Sequence, residues 1–375
     1  MAPLFSYQPL KALYTTLTLL SAPPYLILLS LYYIPKRLRP HPEWSLGTTI
    51  GNAALKLYYR YAVAVALRPW MLRTPGAAKE RFVLVNPAPS DVYQGVLKHQ
   101  TIKPASMGAI WFPKLYNPQT DSGKKVVLHF MGGAFVTFGD LNMLGGFPAG
   151  VFSKCFDGAI TLCAQYRLSR DDDTRFPAAL QDLVTFYSYL LNDQGISPQN
   201  IVISGDSAGG NLVIAFLRYL ESQPDLLPTP YGAMLWSPWV DLQDDASVIA
   251  KRSDANSRIP TDFLNGGLLS WGAEAYRPLP KNSAAETEAY ISPLQHPFES
   301  KTPVWIQAGT AEIFYDEVRE FADVMGKVEG NKGKVSYLET PNAPHDIIIA
   351  GSSLGLQKET EDAVSHAFEF FKGQE

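Results

Sequence analysis

The chain has 375 residues, of which 46% are hydrophobic, 18% charged and 12% aromatic, with a formal net charge of −4. That length allows two or three domains at about 150 residues each, or one long α/β domain, and a core large enough to fold without a disulfide or metal staple. The composition excludes disordered, collagen-like and heptad-repeat proteins, and the mildly acidic balance offers no basic face to nucleic acid.

The apolar excess sits at the front. No charged residue occurs from Ala12 to Pro35, and about 20 helical residues suffice to cross the ~30 Å hydrocarbon layer. Pro23 and Pro24 fall in the middle and predict a kink or a division into two short helices. The absence of a polar face argues against a core helix. The length of the run, and the lack of a small-residue cleavage site after it, argue against a cleaved leader. Residues 1–40 are therefore expected to be a membrane anchor, either one kinked span or an interfacial hairpin. Lys36, Arg37 and Arg39 follow the run, against Lys11 and the amino terminus before it, so the positive-inside tendency puts the large C-terminal part in the cytoplasm. The asymmetry is small and leaves a lumenal placement open. No N-x-[ST] sequon occurs, which agrees with a cytosolic side. The organelle stays open, with the endoplasmic reticulum one candidate.

From Leu46 to Leu67, apolar residues recur at helical spacing (Ile50, Ala54, Leu55, Tyr58, Ala62, Val65), predicting an amphipathic helix packed on the body. From Lys124 the pattern changes. β-rich runs appear at Val126–Phe130, Ala159–Ala164, Ile201–Ser204, Ala233–Ser237, Val304–Ala308 and Val335–Glu339, with helix-like stretches such as Pro177–Leu191 and Asn211–Ser222 between them. This alternation predicts an α/β fold with a mostly parallel central sheet covered by helices on both faces. The stretch from Asp241 to about Tyr290 breaks the alternation with Ser- and Asn-rich segments and a Gly266-Gly267 break, and reads as an insertion. Cys155 and Cys163 are too few for a disulfide framework and lack metal-ligand spacing. Both read as small buried side chains, with their pairing undecided.

Chemistry becomes legible at Ile201–Asn211, where a β-rich run enters Gly205-Asp206-Ser207-Ala208-Gly209 and a helix-like stretch follows. This is the G-x-S-x-G nucleophile elbow in the strand–turn–helix context it requires. The serine occupies the apex of a strained turn, where side chains two positions to either side would collide with backbone. The helix after the turn aims its N–H groups and positive dipole end at the site.

The segment GlyAspSerAlaGlyGlyAsn resembles the serine motif of the hormone-sensitive-lipase branch of the α/β-hydrolases. LeuHisPheMetGlyGlyAlaPhe (128–135) resembles that branch's HGGG segment, and TyrArgLeuSer…PheProAlaAlaLeuGlnAsp (166–182) its Y-R-L-A-P…F-P-A-A-L-x-D block. SerProTrpValAspLeu (237–242) and TyrIleSerProLeu (290–294) resemble the segments flanking its cap insertion. The resemblance runs in order from about Lys124 to the C-terminus. It implies an α/β-hydrolase catalytic domain at 124–375 with a cap insertion at about 241–290, and cap helices with lead-in strands at 41–123.

A serine hydroxyl needs a base, and the base an orienting acid; in this fold they follow the serine as acid, then histidine. His296, His345 and His366 lie downstream. His345, in AsnAlaProHisAspIle after the last strand-like run, stands where the resemblance puts the base. His296 precedes the candidate acid, and His366 in the terminal helix reads as a surface or packing residue. GlyThrAlaGluIlePheTyrAspGlu (309–317) aligns with the family's G-x-x-D-x-L-x-D-E, so Glu312 takes the acid's place. Asp316 matches the loop-bracing position and stays the alternative acid, and Glu317 reads as part of a solvated helix face. The resemblance assigns the oxyanion amides to Gly133, Ala134 and Ala208. Met131 replaces the motif's histidine and Ala134 its third glycine, the latter a mild change if its φ is negative. His129 reads as a packed strand histidine.

The resemblance implies hydrolysis of a small acyl ester, acetyl-like, of a lipophilic alcohol such as a sterol or terpenoid. No metal or organic cofactor is implied. Trp236, Trp239 and Trp271 either line an apolar pocket or belong to the core. Two rivals remain open: an acyltransferase using the same triad, and a ligand-binding homologue without chemistry. The sequence leaves the oligomeric state undetermined.

Overall fold

The computed structural model describes residues 3–242, 246–279 and 285–374. Helix α1 (Leu10–Tyr32) runs unbroken through Pro23 and Pro24, which excludes the division into two short helices, one of the two expected outcomes. Two missing amide donors remove two rungs of the helix, too few to stop it inside a run this apolar. None of its residues is buried, and it is long and apolar enough to cross a membrane. Helix α2 (Leu46–Ala64) is capped by Ser45, whose Oγ accepts the Thr48 N–H. The beginning of α1 meets the end of α2: Tyr14 stacks on Tyr61, and the Thr15 and Tyr61 hydroxyls lie 3.0 Å apart. Between the helices, Arg39 donates to the carbonyls of Tyr33, Ile34 and Trp44 and closes the hairpin.

Eight strands form one sheet. In chain order the elements are β1 (Phe82–Val85), β2 (Met107–Phe112), the single turn α3 (Pro118–Asp121), β3 (Val126–Phe130), the single turn α4 (Leu141–Leu144), α5 (Gly146–Cys155) and β4 (Ile160–Ala164). Then come α6 (Ala178–Asn192), β5 (Ile201–Asp206), α7 (Ala208–Ser222) and β6 (Gly232–Trp236). The insertion carries α8 (Ala246–Ala255), α9 (Gly266–Tyr276) and α10 (Ala285–Ile291). The chain closes with β7 (Val304–Gly309), α11 (Tyr315–Lys327), β8 (Val335–Thr340), α12 (Ile347–Leu354) and α13 (Gln357–Lys372). The strand order is β1-β2-β4-β3-β5-β6-β7-β8. β2 runs antiparallel to both neighbours, and every other pairing is parallel.

Strands β3 to β7 are buried throughout, as parallel strands covered on both faces must be. Alternate residues supply the two faces: Leu128, Ile203, Leu235 and Ile306 join one core with α6 and α7. Val127, Val202, Met234 and Trp305 join the other, with α5 and α13. Register sets Phe130 beside Gly205 and Gly205 beside Leu235, so β3, β5 and β6 end along one edge and their following loops converge there. Gly266 and Gly267 do not break a helix; they open α9, where the Asn265 side chain accepts the Leu268 N–H. The stretches 243–245 and 280–284 of the insertion lie outside the described residues. Cys163 is buried, Cys155 half-buried, and both are free thiols.

Candidate active site

Strand β5 delivers Ser207 at φ 53° and ψ −117°, a backbone conformation that L-residues seldom adopt, and α7 begins at the next residue. The turn is held from outside. Ser207 N–H donates to the Trp236 carbonyl at 2.9 Å, and its own carbonyl accepts from Trp239 N–H at 2.9 Å and Asn211 N–H at 3.1 Å. A Cβ on Gly205 would run into the Gly209 carbonyl, and one on Gly209 into the Phe130 carbonyl. The two motif glycines are therefore steric requirements.

His345 follows β8 and Glu312 follows β7. Both are buried, and His345 Nδ1 lies 3.1 Å from Glu312 Oε2. A carboxylate can only accept, so the proton belongs on Nδ1 and the Nε2 lone pair is left for another donor. The loops are stitched together: Thr310 N–H donates to the Thr340 carbonyl and Ala311 N–H to the Ala343 carbonyl, each at 3.0 Å. Burial works against the imidazolium, but the Glu312 hydrogen bond and the charges of Glu312, Asp262 and Asp206 outweigh it, so His345 titrates above its ordinary value. Burial likewise pushes the Glu312 carboxyl up, against the pull of His345.

The other downstream candidates lie elsewhere. Asp316 is exposed and pairs with Arg258 at 2.7 Å. Glu317 is half-buried and pairs with Arg252 at 2.8 Å, which corrects its assignment to a solvated face: the insertion covers it. His366 accepts from Trp305 Nε1 at 2.9 Å on the far side of the sheet, and the His296 carbonyl accepts from Arg218.

After β3 the chain turns through Met131-Gly132-Gly133-Ala134. Gly133 has φ 123°, Ala134 φ 52° and Phe135 φ 62°. Ala134 thus does not have the negative φ under which replacing glycine would be mild, and its left-handed backbone is imposed by packing. Phe135 stacks face to face on Tyr276, and its carbonyl accepts from Ser169 N–H at 2.8 Å. The Tyr166 hydroxyl donates to the Met131 carbonyl at 2.9 Å. Among the described residues, no internal acceptor takes the N–H groups of Gly133, Ala134 or Ala208.

Sequence reasoning missed a second acidic pair. Asp206 Oδ2 accepts the Gly132 N–H at 2.6 Å. Asp346, next to His345, takes a left-handed conformation with φ 60°. Burial, then the charge of Asp206 and a hydrogen bond to it, pushes the Asp346 carboxyl well above the usual range. His129 is fully buried as expected and lies beside this pair. Its Nδ1 lies 3.0 Å from Ser204 Oγ and its Nε2 3.3 Å from Asp206 Oδ1. The available signal was position alone: Asp206 inside the elbow motif and Asp346 beside His345.

Ser207, His345, Gly133 and Ala134 border one tight cavity of about 40 Å³, walled by Tyr59, Phe138, Leu144, Leu264, Leu268 and Ile349. It shares Tyr59, Phe138, Leu144, Asp346 and Ile349 with a larger, mainly apolar cavity of about 310 Å³ that extends along Leu55 and Tyr58 of α2 to Met143. None of the three tryptophans considered borders either cavity. Trp236 is in the core, with Nε1 3.2 Å from Ser204 Oγ; Trp239 packs on Phe314; Trp271 packs against the main core. The apolar wall comes instead from α2, α9 and α12.

The family pattern described as the alpha/beta hydrolase fold matches residues 127–349. An esterase of Acinetobacter venetianus is 28% identical over 54% of this chain and 61% of its own. An acetyl-hydrolase of Streptomyces hygroscopicus is 30% identical over 43% of this chain and 50% of its own. The chain thus spans only half to three-fifths of these relatives' lengths. The solved structure of an esterase from the bacterial hormone-sensitive lipase family superposes with TM-score 0.58 at 21% identity, covering 88% of this chain and 98% of that one. The chain belongs to the α/β-hydrolase fold family, whose pattern covers more than half of its length.

Proposed function

We propose that this chain is a serine carboxylic-ester hydrolase that removes a small acyl group from a lipophilic alcohol. The carrying observation is that Ser207, on its strained turn, and His345, paired with Glu312, face a single cavity with apolar walls. Ser207 Oγ attacks the ester carbonyl while His345 Nε2 takes its proton, and Glu312 stabilises the imidazolium. The amides of Gly133, Ala134 and Ala208 receive the tetrahedral oxyanion; removing one such donor typically costs about 10²–10³ in turnover. His345 then protonates the leaving alcohol, and water releases the acyl group by the same route.

The cavity sizes support the division of the substrate. About 40 Å³ beside Ser207 suits an acetyl-sized group, and the adjoining 310 Å³ of mainly apolar space suits a sterol- or terpenoid-like alcohol. The acetyl-hydrolase relative points the same way. Helix α1, with no buried residue, anchors the chain to a membrane and keeps it close to such alcohols. The basic residues after α1 favour a cytosolic catalytic domain.

A p-nitrophenyl ester series from acetate to decanoate on the full chain in detergent tests the reading. Acetate or propionate turnover that disappears in Ser207→Ala is expected. Background rates across the whole series would overturn it.

A further inference from the structure

Resting on the ester-hydrolase reading above, we propose that the insertion segment from Arg252 to Asp262 is a clasp that holds the acid loop, with Asp262 as its central positioning residue. Asp262 is fully buried. Its Oδ2 accepts the N–H of Ile313, the residue after Glu312, at 2.6 Å, and its Oδ1 accepts the Leu264 N–H at 3.0 Å. On the other side of Glu312, Thr261 Oγ1 donates to the Ala311 carbonyl at 2.8 Å. Asn256 Nδ2 donates to the Ile313 carbonyl at 3.0 Å, and Arg258 Nε to the Thr310 carbonyl at 3.1 Å. Both backbone polar groups of Ile313 are thus satisfied by the insertion. Opposite them, Thr310 and Ala311 N–H groups bond to the His345 loop and its strand. The acid loop hangs between these two supports.

The need for a clasp follows from the side chain. Glutamate has one more rotatable bond than aspartate, so its carboxylate reaches 3.1 Å from Nδ1 only if the backbone beneath it is placed and kept in place. Lys56 Nζ on α2 donates to the Ile259 carbonyl at 2.6 Å, tying the clasp to the N-terminal helices. Asp262 also acts through charge. The ionisable groups around it are Lys56 of α2, Tyr59 of the same helix, Glu312 of the acid loop and His345. Its negative charge favours the imidazolium of His345.

The test compares wild type, Asp262→Asn, the double variant Asn256→Ala/Thr261→Val, and Ser207→Ala as full chains. Asp262→Asn loses the charge and one of two acceptor positions. Its kcat is expected to fall about 10- to 100-fold with KM within about 3-fold, and the acid limb of kcat/KM to move to lower pH. The double variant keeps the charge and is expected to lose kcat several-fold with the acid limb unmoved. Titration of His345 by NMR on histidine-labelled protein reads the same shift without turnover. A wild-type kcat and an unshifted His345 titration in Asp262→Asn overturn the proposal. If that variant yields no melting transition, a double variant with unchanged kcat overturns it. Ester turnover that is absent from wild type, or unaffected by Ser207→Ala, defeats the hydrolase reading instead; the His345 titration then still decides on the clasp.

Discussion

Replacing Glu312 with glutamine removes one charge and almost no volume, which makes it a direct measure of what the acid contributes. In the native site the carboxylate and imidazole are 3.1 Å apart and both buried, so no water can take over the lost partner. The amide leaves two poor choices. Its oxygen can accept from Nδ1–H, which keeps the ring orientation but leaves the imidazolium without a counter-charge. Its NH₂ can donate to Nδ1, which moves the ring proton to Nε2 and removes the base. The corresponding change in a Ser-His-Asp triad costs about 10⁴ in turnover. An expected loss of 10³–10⁴ in kcat here equals about 4–5.5 kcal/mol of barrier. Glu312→Asp keeps the charge but retracts it by one C–C bond, about 1.5 Å, which stretches the contact beyond hydrogen-bonding range. Asp316→Asn is the control: its carboxylate is 56% exposed and bonded to Arg258, and exposed pairs are worth about 0.2–1 kcal/mol. That predicts less than about a fivefold change in p-nitrophenyl acetate turnover. If Asp316→Asn lost three decades while Glu312→Gln kept wild-type kcat, the acid would have been misassigned.

The remaining predictions concern the serine and the pH profile. Ser207→Gly relieves the left-handed φ of 53°, a strain of about 1–3 kcal/mol, against a glycine entropy cost of about 0.5–1 kcal/mol. Both Ser207→Gly and Ser207→Ala are expected to abolish turnover, with the glycine variant more stable than the alanine one by about 1 kcal/mol. Denaturant melts reversing that order would remove the strain account. His345 must be neutral to act as base, and its folded pKa is raised by Glu312, Asp262 and Asp206 against burial. Activity is therefore present at high pH and lost as pH falls through a value above the ordinary ~6.5 of histidine. A kcat/KM acid limb centred well below 6.5 would contradict this electrostatic picture.

How much of this could be read in advance depended on whether the cause was local. The six β-rich runs from Val126 onward became β3 to β8; β3 to β7 were legible because strands buried on both faces show as continuous apolar runs, while β8 is a half-exposed edge strand. β1 and β2 were not located from the sequence. β1 is four residues long and partly exposed, and β2 is followed only by the single turn α3 rather than by a full helix. The serine turn was legible because its motif lies within five consecutive residues and Gly205 answers a clash inside them, with the Gly209 carbonyl, although Gly209 answers the distant Phe130 carbonyl. Glu312 and His345 were legible only through order and flanking strands. The Asp206–Asp346 pair, the hold of Asp262 on the acid loop and the α2 wall of the cavity join residues from 50 to more than 200 positions apart, and no local pattern encodes them. The choice between pocket and core for the tryptophans was open for the same reason: Trp236 sits next to the serine turn in the sheet, but the two-residue period of its strand points it into the opposite core.

The backbone strain is distributed in a way that bears on mechanism. Among the described residues, nine non-glycine positions have positive φ, and five of them (Ala134, Phe135, Ser207, Ser237 and Asp346) belong to the site or its immediate support. At about 1–3 kcal/mol each, five such residues cost an amount comparable with the whole net stability of a typical domain, about 5–15 kcal/mol. Such strain persists only where the surroundings over-determine it, and the supports are identifiable. Ser207 N–H is held by the Trp236 carbonyl and Ser237 N–H by that of Gln307. Asp346 N–H is held by Ser237 Oγ, and Phe135 by Tyr276 and Ser169. Each support comes from a strand end, the segment that follows one, or a helix packed over the site, so the rigidity of the parallel sheet is transmitted to the strained loops. A flexible loop could present the same amides and hydroxyl, but it would have to order them in every turnover. On the ester-hydrolase reading proposed above, the ordering is completed during folding, and the barrier for ester attack would be lowered by groups that already stand where the oxyanion forms.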